Sequence, residues 1–129
     1  PAANNKTIDR LYTGFVRMDK TSSVSNATGV GGATDPVPGA VITYNVTYTN
    51  VSSSNGDGNC VKLTATTLVI TEDGLAGANN WGGYTTNSGT PSDSGSGVVV
   101  TVSTTKYTDT VATLGAGASA VFSFKRSIN

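Results

Sequence analysis

The chain has 129 residues, enough for one domain with a single core, and only 12% of them are charged, against roughly 25% in an average soluble domain. Eight basic and eight acidic residues cancel, so no basic block is available to bind nucleic acid or an anionic membrane surface. His is absent and Cys60 is the single cysteine, which removes the usual general base, the usual metal ligand and the Cys–His pair. We therefore predict no catalytic residue, no metal and no cofactor, and we expect that the protein is not an enzyme.

The N-terminal segment, residues 1–21, contains a long extended stretch, and a stretch rich in Ser, Gly and Thr follows at 22–34. The apolar side chains of this segment are Ile8, Leu11, Phe15, Val16 and Met18. Two interpretations are open: the segment is the first strand of the domain and pairs in cis, or it is donated to the sheet edge of a neighbouring copy. We accordingly divide the chain into an N-terminal extended segment at 1–21 and a β-sandwich domain at 22–129.

The clearest strand covers residues 40–50, AVITYNVTYTN, where apolar and polar side chains alternate at the two-residue period of a half-buried sheet. The turn sequence DPVPG precedes it. Further strands are predicted at 61–71, 97–104, 106–113 and 118–128, and no window has the apolar spacing of an amphipathic helix. The predicted fold is all-β, an immunoglobulin-like sandwich of about seven strands.

The block at 38–50, PGAVITYNVTYTN, resembles the signature of the conserved repeat domain of prokaryotic surface proteins, known as domain of unknown function eleven. The shared pattern is Pro-Gly, then an alternating strand containing Tyr, then Asn. Residues 14–21, 77–82 and 122–129 are similar to other, less specific parts of that family. The resemblance implies an immunoglobulin-like sandwich on a secreted or cell-surface protein, with no known active site. Members commonly occur as tandem repeats, so a single copy would build a large structure by association between chains.

Three kinds of candidate site stand out. Trp81 and Tyr84, in NNWGGY, are a candidate sugar platform, because an aromatic face packs against a sugar ring; alternatively they close one end of the core or lie in a subunit contact. Cys60 is either a buried apolar side chain or one end of an intermolecular bridge. The candidate glycosylation sites, which match Asn-x-Ser/Thr, are Asn5, Asn26, Asn45 and Asn50.

Together these features predict an extracellular or cell-surface structural protein, the subunit of a filament, a pilus-like fibre or a surface layer. Its partners would be copies of itself, joined by β-strand complementation. The predicted interface residues are the apolar ones of the N-terminal segment: Ile8, Leu11, Phe15, Val16 and Met18. Nucleic acid is not expected as a partner, because the chain has no basic block. A membrane span is not expected either, because no apolar run is long enough to cross a bilayer, and glycans are possible partners. The alternative is an adhesin or carbohydrate-binding surface module that uses Trp81 and Tyr84.

Overall fold

The computed structural model describes residues 15–52, 61–77 and 80–129, and these residues form eight β-strands. The strands are β1 (Val16–Ser25), β2 (Val41–Asn50), β3 (Ala65–Asp73), β4 (Thr85–Asn87), β5 (Ser92–Asp93), β6 (Gly97–Ser103), β7 (Lys106–Leu114) and β8 (Ser119–Ile128). No helix within the described ranges is long and apolar enough to span a membrane. The eight strands confirm the prediction of an all-β fold for the part of the chain that the structure describes.

The strands form two antiparallel sheets, which we call the large sheet and the small sheet. The large sheet has the order β1-β2-β8-β4, and β5 also pairs with β8. The small sheet has the order β3-β7-β6. Aromatic side chains from both sheets pack between them, so the predicted β-sandwich is confirmed at this coarse level. The short strands β4 and β5 were not predicted from the sequence.

Residues 16–21, the last part of the predicted N-terminal segment, belong to the sandwich. The strand β1 pairs with β2 along its whole length, from Val16 opposite Asn50 to Ser25 opposite Val41. The strand β1 therefore continues past residue 21, where the domain boundary was predicted. Residues 22–25, predicted to belong to the loose stretch at 22–34, are part of this strand. Residues 16–21 of the predicted N-terminal segment therefore pair in cis, with β2 of the same chain. Ile8 and Leu11 lie outside the described residues.

The core is built mainly from aromatic rings on the facing sides of the two sheets. The ring of Phe124 on β8 has its centroid 4.7 Å from that of Tyr107 on β7, 5.2 Å from that of Trp81 and 5.0 Å from that of Tyr44. Along β8 the side chains at 120, 122 and 124 are buried and those between them are not, as the two-residue period predicts. Because these rings bridge both sheets, they fix how the sheets face each other.

Candidate functional site

The inner face of β1 is not covered in the way a sandwich interior normally is. Met18 pairs with Tyr48 and Lys20 with Val46, and both β2 partners are in the core. Directly opposed residues in an antiparallel ladder project to the same face, so Met18 points to the interior side of the large sheet. Met18 is nevertheless 54% exposed. The small sheet has only three strands, and among the described residues none of these strands covers Met18.

The strand β3 borders the same opening. It is an edge strand of the small sheet, and its one partner within the described ranges is β7. An edge strand presents a row of unpaired backbone N–H and C=O groups, which is a template for another strand. Leu68 on β3 is half-buried and packs against the core cluster, as do Phe15 and Val16 at the start of β1. We call this opening, formed by the inner face of β1 and the free edge of β3, the open flank.

An ion pair crosses the open flank. The Lys20 ammonium on β1 contacts the carboxylate of Glu72 on β3, and the two side chains are 27% and 11% exposed. The Nζ atom of Lys20 also lies 5.2 Å from the ring centroid of Tyr44 and 5.8 Å from that of Phe124, within range of cation–π attraction. The pair ties the two sheets together at this position. The two charges of this pair compensate each other. The other side chains along the flank include the apolar Val16, Met18 and Leu68.

The predicted interface residues fall partly on this flank. Phe15, Val16 and Met18 lie at the start of β1, and Phe15 O accepts a hydrogen bond from Val51 N at 2.8 Å. The structure therefore places these three residues together beside the flank. The predicted positions Ile8 and Leu11 precede them in sequence and lie outside the described residues.

The aromatic pair proposed as a sugar platform is divided between core and surface. Trp81 is 7% exposed and is covered by Tyr107 and Phe124, whereas Tyr84 is 68% exposed. Burial leaves no open face on the indole ring for a sugar. The two residues therefore do not form one exposed platform, and Trp81 occupies the core position that was the alternative interpretation.

The described sequons differ in how their asparagines are used. Asn50 is fully buried and donates both amide hydrogens, to Leu63 O and Leu114 O, each at 2.9 Å. Asn26 donates to two carbonyls of its own loop at 2.7 and 2.9 Å. Asn45 is half-buried and accepts from Ser123 Oγ at 2.8 Å. A glycan on Asn50 would require this part of the core to open, so that sequon is not accessible in the folded chain. Asn5 and Cys60 lie outside the described residues.

No family model, no curated protein and no solved structure matches this chain. The resemblance to domain of unknown function eleven therefore stays a prediction.

A pair of carboxyl groups that the sequence analysis did not predict, one buried and one half-buried, lies between β5 and β7. Asp109 is 0% exposed, and neither of its oxygens has a hydrogen-bond donor among the described residues. Asp93 lies beside it and accepts hydrogen bonds from Tyr48 OH at 2.7 Å and Gly95 N at 2.6 Å. Burial, together with the neighbouring Asp93, raises the pKa of Asp109 to about 7. A protonated Asp109 can donate to Asp93, so the two groups are suited to sharing one proton.

The strand β6 passes so close to these carboxyl groups that only glycine fits there. A Cβ added at Gly97 would stand 2.7 Å from Asp93 Cγ and would also overlap Asp109 Oδ1. Gly97 N donates to Asp93 Oδ1 at 3.1 Å. The pair is thereby held within packed backbone, so we assign it to stability and not to assembly.

Proposed function

We propose that this chain is the subunit of an extracellular filament assembled by β-strand complementation. Residues 1–14 of one copy would add as a strand to the free edge of β3 in the next copy and cover the open flank. The observation that supports the proposal is the exposure of Met18, at 54%, on the side of β1 that faces the interior. An apolar inner face beside an unpaired strand edge is the combination that strand addition completes.

The length of residues 1–14 suits this role. Fourteen residues in extended conformation span about 46 Å, and the nine residues of β3 span about 30 Å, at roughly 3.3 Å per residue. The segment can therefore pair with the whole of β3 and leave several residues to reach between subunits. Its apolar residues Ile8 and Leu11 are available to pack on the flank, and its backbone can complete the ladder.

The contact would propagate because donor and acceptor are different surfaces of one chain. Such a heterologous contact generates an open polymer unless its rotation closes a ring. The donor segment is joined to Phe15, which lies where β2 ends, as the bond between Val51 N and Phe15 O shows. Each copy would therefore offer its donor from one end of the sandwich and receive the next copy's donor along its flank.

The finer features of fold and location belong to the same proposal. The large sheet has five strands, four of them side by side in the order β1-β2-β8-β4, and it faces a sheet of three; constant-type immunoglobulin sandwiches have four and three strands, which supports an immunoglobulin-like fold. The resemblance of residues 38–50 to domain of unknown function eleven supports a secreted or cell-surface location. A low charge, 12%, with zero net charge leaves little repulsion between copies and so favours self-association.

The first test deletes residues 1–14 and compares the variant with the full chain by electron microscopy and analytical ultracentrifugation. Deletion should end at residue 14, because residues 16–21 are part of β1 and their loss would remove an edge strand. We expect filaments from the full chain and folded monomers from the variant. A peptide of residues 1–14 should bind the variant and, added in excess to the full chain, shorten its filaments.

Cis pairing of residues 1–14 gives the opposite pattern. The full chain would then be monomeric at all concentrations, and deletion would only lower its stability. Filaments that persist after deletion would contradict the proposal equally, because they would have to form through another surface.

The second test changes the acceptor. Met18→Asp places a charge on the open flank, and we expect the concentration needed for assembly to rise at least about tenfold, since burying an unpaired carboxylate is unfavourable. The matched control is Val100→Asp on the outer face of β6, because Val100 is 55% exposed, close to the exposure of Met18, and an apolar residue is again replaced by Asp. Sedimentation of polymer across a concentration series measures both. An equal effect of the two variants would place the contact elsewhere than on the flank.

A further inference from the structure

A cavity of about 380 Å³ lies at the end of the sandwich remote from Phe15, where β4, the turn between β6 and β7, and the end of β8 meet. Most of the residues around it carry hydroxyl or amide groups and one is a cation, while the surface that they turn toward the cavity is mainly apolar. The lining residues that carry the inference are Thr86, Asn87, Thr104, Thr105, Arg126 and Asn129. A volume near the lower end of the range for small-molecule sites suits one sugar-sized ligand.

Arg126 is the cation in this wall, and it is only 1% exposed. Its Nε donates to Thr85 Oγ1 at 3.0 Å and its Nη2 to Thr85 O at 2.7 Å. Its Nη1 donates to Thr104 O at 2.7 Å and to Tyr107 OH at 3.2 Å. The guanidinium also lies 4.8 Å from the ring centroid of Trp81. A guanidinium has five N–H hydrogens, so these four bonds leave one Nη2 hydrogen without an acceptor among the described residues.

The positive charge of Arg126 is not compensated by a carboxylate. The ion pairs among the described residues are Arg17 with Asp19, Lys20 with Glu72, and Lys106 with Asp73. All four acceptors of Arg126 are neutral oxygens, which satisfy hydrogen bonding and leave the charge in place. A buried charge is normally paired, because its removal from water is costly. The charge of Arg126, together with its fifth N–H hydrogen, therefore favours an anion in the cavity that this residue lines.

We propose that this cavity binds a small hydroxylated carboxylate, of the class of the uronic acids. The carboxylate would lie against the free Nη2 hydrogen of Arg126, where a charge-assisted bond is stronger than a neutral one. The hydroxyl groups would bond to Thr86, Asn87 and Thr105, whose side chains both donate and accept. This site is separate from the open flank and does not depend on assembly.

The ligand test titrates the ¹⁵N-labelled full chain, at a concentration below assembly, with glucuronate, glucose and acetate at low ionic strength. Glucose has the hydroxyls without the charge, and acetate has the charge without the hydroxyls. We expect glucuronate to bind at least about tenfold more tightly than either, which corresponds to about 1.4 kcal/mol, with amide shifts concentrated at Asn87, Thr104 and Thr105. Equal affinity for glucose would overturn the role of Arg126, and equal affinity for acetate would overturn the sugar-acid assignment. No shift with glucuronate would overturn the site.

A matched pair of variants tests the charge without changing Arg126, whose loss would disturb the core. Thr86 is exposed at the cavity, so Thr86→Glu brings a resident carboxylate to the positive wall, and Thr86→Gln adds a side chain of nearly the same size without charge. We expect Thr86→Glu to weaken glucuronate binding at least about tenfold and Thr86→Gln to weaken it less than about threefold. Equal losses would show that space, and not charge, determines binding and would overturn the proposal.

Discussion

The free energy of unfolding is expected to fall by up to about 4 kcal/mol as the pH rises from about 4 to about 7, because of Asp109. Burial, and then the neighbouring Asp93, raise its pKa from 3.8 to about 7. Between those two values the folded chain keeps a proton that the unfolded chain has lost, so each step up in pH favours unfolding. Below pH 3.8 and above about pH 7, Asp109 does not change the free energy of unfolding with pH. Urea unfolding at a series of pH values measures the change.

Two variants separate Asp109 from the other acidic groups. Asp109→Asn is neutral at every pH and nearly the same size, so the part of the slope due to Asp109 should vanish and the variant should be more stable than the parent above pH 7. Asp93→Asn removes the neighbouring charge and leaves Asp109 buried. Because burial is the largest cause of the raised pKa, this variant should keep a reduced slope. A parent chain and an Asp109→Asn variant with parallel pH profiles would contradict the assignment.

The long strands of this fold could be predicted because their side chains alternate between core and surface. The block at 40–50 became β2 almost unchanged, and the predicted strands at 97–104, 106–113 and 118–128 each lie within one residue of an observed strand. The strands β4 and β5 have three and two residues, too few to carry a period. They exist because β8 offers them hydrogen-bond partners, which is a tertiary effect that no local pattern encodes.

The same alternation contained a signal for the two most deeply buried charged residues, Asp109 and Arg126. Asp109 has the parity of Tyr107 and Val111 on β7, and Arg126 has the parity of Phe122 and Phe124 on β8. A charge on the apolar face of a predicted strand indicates a buried ionisable group. What the sequence could not provide is the neighbour of Asp109, because Asp93 lies 16 residues away in the chain and is placed by the pairing of β5 with β8.

The sequence could not predict that the inner face of β1 is left uncovered, and the reason differs from that for the buried charges. The apolar residues Phe15, Val16 and Met18 indicate that this segment buries a face, but not what covers it. Whether a residue on the inner side of a strand is covered depends on the width of the opposite sheet. That width, three strands against four, is set by the strand order and not by any local pattern. The acceptor that we propose, β3 with the inner face of β1, depends on this strand order.

Replacing Asn50 with alanine is expected to lower the free energy of unfolding by about 3 kcal/mol, although the sequence suggested a surface glycosylation site there. The amide of Asn50 joins three parts of the chain: it donates to Leu63 O and Leu114 O, and its oxygen accepts from the backbone N and hydroxyl of Ser52 at 3.0 and 2.6 Å. Alanine would remove the Asn50 donor from the buried Leu114 O, at about 1 to 3 kcal/mol for an unsatisfied group, and would leave Leu63 O with Ser52 Oγ at 3.1 Å as its side-chain donor. Thermal and urea unfolding of both chains measures the loss.

Asn45→Ala is the matched control, because it makes the same change on the same strand. Asn45 lies on the outer face of β2, is half-buried and accepts one side-chain hydrogen bond, from Ser123 Oγ. Its loss should cost about 1 kcal/mol or less, the net value of one ordinary hydrogen bond. Similar losses in the two variants would mean that the buried carbonyls find other donors once Asn50 is gone. A large difference would show that this end of the sandwich, from which the proposed donor segment would leave at Phe15, is held by a buried amide. Its rigidity would then be available to fix the direction in which one subunit reaches the next.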